Sequence, residues 1–102
     1  MSAAILYVPC PDRKTAANLV KRLVDKKMVA CGNIHKSKSY YIWDKKMVKQ
    51  KEWIAVMKTL SSFVVTAKKE ILKWHPYEIP AVLHWPAESN ESYIIWLEEQ
   101  LG

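Results

Sequence analysis

Glycine is almost missing from this chain. There are two in 102 residues, and one of them, Gly102, is the last residue. A loop that cradles phosphates needs several glycines within a short span, so a P-loop nucleotide binder is excluded. Cysteine and histidine are also scarce. Cys10 and Cys31 form no C-x-x-C, and His35, His75 and His84 form no close-spaced pair. The sequence therefore contains no ready-made zinc motif. Two thiols in this arrangement read as free, the usual state in a reducing compartment. No apolar run approaches the roughly 20 residues that cross a membrane. The opening MSAAILYVPCPDRK has no basic residue before its apolar stretch, which makes a poor secretory signal. The expected location is the cytoplasm, with no membrane partner. No paired carboxylates and no nucleophile beside a base stand out, so no catalytic residue is nominated and the chain reads as non-enzymatic.

Half of the residues are apolar and a quarter are charged, which is a globular composition rather than a disordered one. The length suits one domain over residues 1–102. Five tryptophans and five tyrosines are many for this length. Such side chains favour interfaces, and a domain this small has reason to complete its core by oligomerising. The net charge of +6 is unevenly spread. Residues 1–51 carry twelve Lys/Arg against three Asp/Glu, a balance of +9, and residues 52–102 carry four against seven, a balance of −3.

Residues 3–8, AAILYV, read as a buried strand that Pro9-Cys10-Pro11-Asp12 stops. Asp12 is placed to cap a helix whose apolar positions are Ala16, Leu19, Val20, Leu23 and Val24. Met28 to Ile34 reads as a second strand, with Gly32 marking a bulge or a close backbone approach. Tyr40 to Trp43 is strand-like, Asp44 to Lys46 is a turn, and Met47 to Thr59 is a long return strand. Both faces of that strand are apolar near its end, as in a central strand. Ser61 or Ser62 is a candidate cap for a second helix, with Phe63, Ala67, Ile71 and Trp74 on one face. Pro76 ends it. Ala81 to Trp85 is a short strand, residues 86–89 a loop, and Ser89 or Asn90 caps a last helix with Tyr93, Ile94, Trp96, Leu97 and Leu101. The order β-α-β-β-α-β-α predicts an α+β, ferredoxin-like βαββαβ sandwich with a C-terminal helix.

Six stretches in this order resemble the CutA, or divalent-cation-tolerance, family. They are Pro11-Asp12 with Thr15-Ala16, Ala30 to Ile34, Tyr41 to Asp44, Lys58-Thr59, His75 to Pro80, and Tyr93 with Trp96-Leu97. The most specific is HPYEIP at His75 to Pro80. The resemblance implies a homotrimer shaped like the PII signalling proteins, with a signalling or structural role as the alternative to a role in copper or other divalent-cation binding and tolerance. Lys45 stands where the family usually has glycine, and lysine tolerates positive φ poorly, so a different turn type is expected at that tip. Lys49-Gln50-Lys51-Glu52 is too basic for an acidic, metal-attracting hairpin.

A soft or borderline cation would seek thiolate and imidazole. His75 is the first candidate, because a helix end and Pro76 fix it. Cys10 is the second, because it leaves a strand at a loop where it can be reached. The competing role for His75 is structural: a rigid elbow in which Tyr77 and Glu78 pin the chain. Cys31 reads as a small buried hydrophobe, and Trp43, Asp44, Cys31, Tyr77 and Glu78 are binding or interface candidates. Separately, Lys36, Lys38, Lys45, Lys46, Lys49 and Lys51 flank Tyr40, Tyr41 and Trp43. That pattern suits a polyanion. A solvated hairpin, with lysines that block unwanted sheet pairing, is the favoured explanation, and no nucleic-acid partner is expected.

Overall fold

The computed structural model describes residues 2–102. Its elements are β1 (Ala3–Cys10), α1 (Arg13–Asp25), β2 (Cys31–Trp43), β3 (Lys46–Leu60), α2 (Val64–Trp74), β4 (Leu83–Ala87) and α3 (Glu91–Leu101). A 3₁₀ turn at Ser61–Phe63 leads into α2. The strands form one antiparallel sheet in the order β2-β3-β1-β4. This is the ferredoxin-like α+β arrangement. Among the described residues, no helix is long and apolar enough to cross a membrane.

The main core lies between one sheet face and helices α1 and α2. Alternate β1 residues Ala4, Leu6, Val8 and Cys10 join Ala55 and Met57 of β3. They meet the stripe Ala16, Leu19, Val20 and Leu23 of α1 and Val64, Ala67 and Ile71 of α2. Period two on the strands and near 3.6 on the helices produces this match. The Asp12 carboxylate accepts from the Thr15 N–H at 2.7 Å and starts α1. That bond holds its carboxyl below the usual range. α1 ends in a Schellman turn, with Met28 N–H donating to the Leu23 carbonyl at 2.9 Å and Lys27 N–H to that of Val24 at 3.0 Å. At Gly32 the side chain of Val20 from α1 lies directly against the sheet backbone. A Cβ there would lie 2.8 Å from Val20 Cγ1. The β2–β3 register runs unbroken past it, so close approach and not a bulge is the reason for the glycine.

Several expected boundaries are corrected. β1 does not stop before Pro9 but continues through Cys10. Its ladder with β4 ends at Tyr7, so Pro9 has a partner strand on one side only. Residues 28–30 belong to the helix exit, and β2 runs from Cys31 to Trp43 as one strand because β3 pairs with it throughout. β4 begins at Leu83 and includes Pro86, which an edge strand tolerates. Neither Ser61 nor Ser62 caps α2. The Ser61 hydroxyl instead donates to the Ser2 carbonyl at 3.2 Å. Asn90 occupies the position before α3, but its side chain caps nothing. Asp44 and Lys45 adopt φ of 52° and 63°. The tip is therefore a two-residue, type I′-like turn despite the lysine.

Trp74 does not join the inner face of α2; it is half exposed. Its indole N–H donates to Glu70 at 3.0 Å, and the Arg22 guanidinium lies 3.9 Å from its ring centroid. Lys26 Nζ also reaches Glu70 at 2.9 Å. Lys26 first, then the indole, keeps the Glu70 carboxyl below its usual range. This knot ties the ends of α1 and α2.

The other sheet face is covered only in part. Leu97 and Leu101 of α3 pack on Ala3 and Leu60. Beyond them Leu83 and Trp85 are exposed, and the Tyr7 and Trp85 rings lie 6.2 Å apart. β1 meets β3 only as far as the Cys10–Trp53 pair. Ser37 to Glu52 therefore form a two-stranded arm without a third strand, and the molecule is 46 Å long but only 23 × 21 Å across.

Two stability changes test this description. Gly32→Ala should destabilise the fold by about 1–3 kcal/mol through overpacking against Val20. Lys45→Gly should stabilise it by about 1 kcal/mol by removing left-handed strain. Urea unfolding curves measure both.

Candidate functional site

The stretch His75 to Ala81 leaves α2, turns around the end of β1 and reaches the root of the hairpin arm. Pro76 sets the start of the turn: His75 has φ −73° and ψ 132°, the extended geometry that a following proline imposes. His75 is buried. Its Nε2–H donates to the Pro9 carbonyl at 2.8 Å, and its Nδ1 accepts from the Tyr77 N–H at 3.2 Å. Both ring nitrogens are thus engaged and the tautomer is set by its partners. The imidazole and the Tyr77 ring lie 4.7 Å apart between centroids.

Tyr77 is the centre of a hydrogen-bond chain. Its hydroxyl donates to Glu52 Oε2 at 2.6 Å and accepts from Gln50 Nε2 at 3.0 Å. Gln50 Oε1 in turn accepts from the Tyr41 hydroxyl. Glu52 is buried although ionisable. Burial, then the Glu52 carboxylate, pushes the Tyr77 hydroxyl far above the ordinary tyrosine range. Above this chain opens a cavity of about 520 Å³, lined by Pro9, Tyr41, Trp43, Val48, Glu52, Tyr77, Glu78, Ile79 and Ala81. Its walls are mainly aromatic and aliphatic, with two carboxylates among them. A larger groove of about 820 Å³ lies between α1 and the end of α2, over Arg22, Lys26 and Trp74.

The structure brings together Trp43, Tyr77 and Glu78 of the expected residues, all on this cavity. Asp44 lies in the exposed tip turn. The expectation that Cys10 can be reached is corrected. Cys10 is completely buried, and its Sγ–H points at the Val8 carbonyl at 3.7 Å. Burial, then the carboxylates of Asp12 and Glu52, raises its thiol to about 11. A thiol that resists ionising is a poor ligand or nucleophile. Cys31 is only half-buried, and its Sγ lies 3.3 Å from the Tyr93 hydroxyl. Burial, then Cys31, raises that hydroxyl to about 12. His84 Nδ1 sits 3.1 Å from Lys68 Nζ, and His35 is exposed. Among the described residues, no three His, Cys, Asp or Glu side chains converge to hold a metal ion. The six lysines divide. Lys36, Lys38, Lys49 and Lys51 share one face of the arm, Lys46 lies on the other and Lys45 is in the turn.

The reading from sequence missed Glu52, Gln50 and Tyr41 as site residues. The available signal was at Glu52, a carboxylate in phase with Ile54 and Val56 on a buried strand.

The model of the CutA1 divalent ion tolerance protein family matches residues 4–100. A divalent-cation tolerance protein CutA of Pyrococcus horikoshii is 33% identical over 97 residues, covering 94% of this chain and 95% of that protein. One of Thermotoga maritima is 32% identical over 98 residues, covering 95% and 97%. Among solved structures, CutA1 of Ehrlichia chaffeensis superposes with a TM-score of 0.95 at 27% identity, covering 99% of this chain and 96% of that one. CutA1 of Pyrococcus horikoshii gives 0.93 at 33% identity, covering 97% and 98%.

Tyr77→Phe removes the donor to the buried Glu52 carboxylate. It should cost about 1–3 kcal/mol of stability, read from urea unfolding.

Proposed function

The chain belongs to the CutA1 divalent ion tolerance family, and from that premise we propose that it is a non-catalytic homotrimer of the cytoplasm that binds divalent cations, copper among them. The observation that carries the metal part of this reading is the pair Glu52 and Glu78, two carboxylates lining one largely apolar cavity. Oxygen donors of this kind suit divalent cations, and Cu(II) accepts them. The side chains of one protomer do not amount to a closed, resident metal centre. A cation at this cavity takes its remaining ligands from water or from a neighbouring copy, which suits a site that takes up and releases its ion. His75 shapes the cavity by holding Tyr77, with neither nitrogen free to ligate.

Self-association is supported by the uncovered surfaces. A two-stranded hairpin is marginal in water by itself, yet here it exposes Ile42, Trp43 and Met47 towards its tip. Leu83 and Trp85 leave a second apolar area on the open sheet face. Three-fold closure is what the family resemblance implies. Free thiols at Cys10 and Cys31 support the cytoplasm.

Competitor-buffered Cu(II) titration, followed by tryptophan fluorescence and calorimetry, tests the cavity. The wild type should bind stoichiometrically. Glu78→Gln should weaken binding about tenfold or more, and His75→Ala should keep the stoichiometry. The same weak multi-site response in all three proteins would remove the metal reading. A monomer in sedimentation equilibrium would remove the trimer.

A further inference from the structure

The face of the hairpin arm away from the cavity has an arrangement that lysine-rich composition alone does not require. The register sets Lys38 directly opposite Lys51. Lys36, opposite Trp53, and Lys49, opposite Tyr40, lie on the same face at the diagonal positions. All four lysines are exposed. Among the described residues none of them forms a salt bridge. This face of the arm carries no acid: Glu52 points to the other side, where Tyr77 holds it, and Asp44 is in the turn. At the base, Arg13 adds a fifth cation, its guanidinium 5.9 Å from the Trp53 ring centroid.

Like charges directly opposite each other destabilise a strand pair. Lysines that merely protect an edge from aggregation have no need to face one another. Four ammonium groups gathered around one rung are matched by an anion that presents several charges in a row. A single carboxylate offsets one of them; a chain of phosphates offsets them all. The exposed Tyr40 ring, with Lys49 Nζ 5.9 Å from its centroid, adds a flat surface beside the charges. We infer that Lys36, Lys38, Lys49 and Lys51 form a binding face for a chain of linked phosphates, whether the phosphodiesters of a single-stranded nucleic acid or the anhydrides of inorganic polyphosphate. This face uses none of the cavity residues, so it stands or falls separately from the metal reading.

Anisotropy of a labelled oligothymidylate of about 15 nucleotides, on the full chain at stepped KCl from about 50 mM, tests it, with long-chain inorganic polyphosphate as competitor. The wild type should bind with a marked salt dependence. Lys38→Gln/Lys51→Gln should weaken binding by about tenfold and flatten the log–log salt slope by roughly 1.4. The control Lys27→Gln/Lys69→Gln removes the same charge elsewhere and should leave both unchanged. Thermal melting is the second readout. Lys38→Gln/Lys51→Gln should melt higher than wild type without ligand, because the repulsion is gone, and polyphosphate should raise the melting temperature of the wild type only. Tighter binding of the oligonucleotide than of polyphosphate at equal phosphate identifies nucleic acid as the source, and equal binding identifies the phosphate chain itself. No binding at the lowest salt overturns the inference. So does an equal loss in the control variant, or a change confined to sedimentation, which would make the face a contact between copies.

Discussion

β3 is fifteen residues long and β1 is eight, and most of the molecule follows from that mismatch. Where the two strands run side by side, β3 is central and buried on both faces, as Ile54, Ala55 and Met57 are. Past Trp53 it has only β2 as a neighbour. A strand pair there has no sheet to lie in and no helix to pack on. It must find support from the chain's own loops, from another copy or from a ligand. The His75–Ala81 segment supplies the first kind of support at the root of the arm, and the candidate cavity is the space between them.

The histidine in WHPYEIP is therefore best understood as a fastening. It binds the last carbonyl before Cys10 on one side and the Tyr77 amide on the other, joining the end of β1 to the loop that must pass it. Tyr77 is thereby held over the arm, where it satisfies Glu52. A buried carboxylate without a donor would be costly, so the placement of Tyr77 is what lets an acid sit at the root of the arm at all. The carboxylate in turn gives an otherwise apolar cavity its charge.

The element order and the helix core stripes were legible, because period two and period 3.6 survive in a single sequence. The strand ends at Pro9 and Pro86 were not. Proline breaks a strand only where a neighbour needs its missing N–H, and which neighbours exist is a property of the sheet, not of the local sequence. Trp74 was assigned to the core by spacing, but its indole N–H found Glu70 and its ring found Arg22. The elbow at His75 was visible as a proline-bounded motif. The partners of its Tyr77, Glu52 and Gln50, lie 25 and 27 residues away, with Tyr41 farther still, and leave no spacing signal. The lysines were plain to see, but their sorting onto two faces depends on a register that only the paired strands define.

The chain from Tyr41 through Gln50 and Tyr77 to Glu52 also has a mechanical meaning. It spans two strands of the arm and the loop from α2, and every bond in it donates toward the carboxylate. The arm is thus not a free lever swinging from the sheet. It is stayed, like a mast, by a line whose lower end is made fast through His75 to the end of β1. The hydrogen bonds thus run without a break from near the tip of the arm to the junction of β1 and α2.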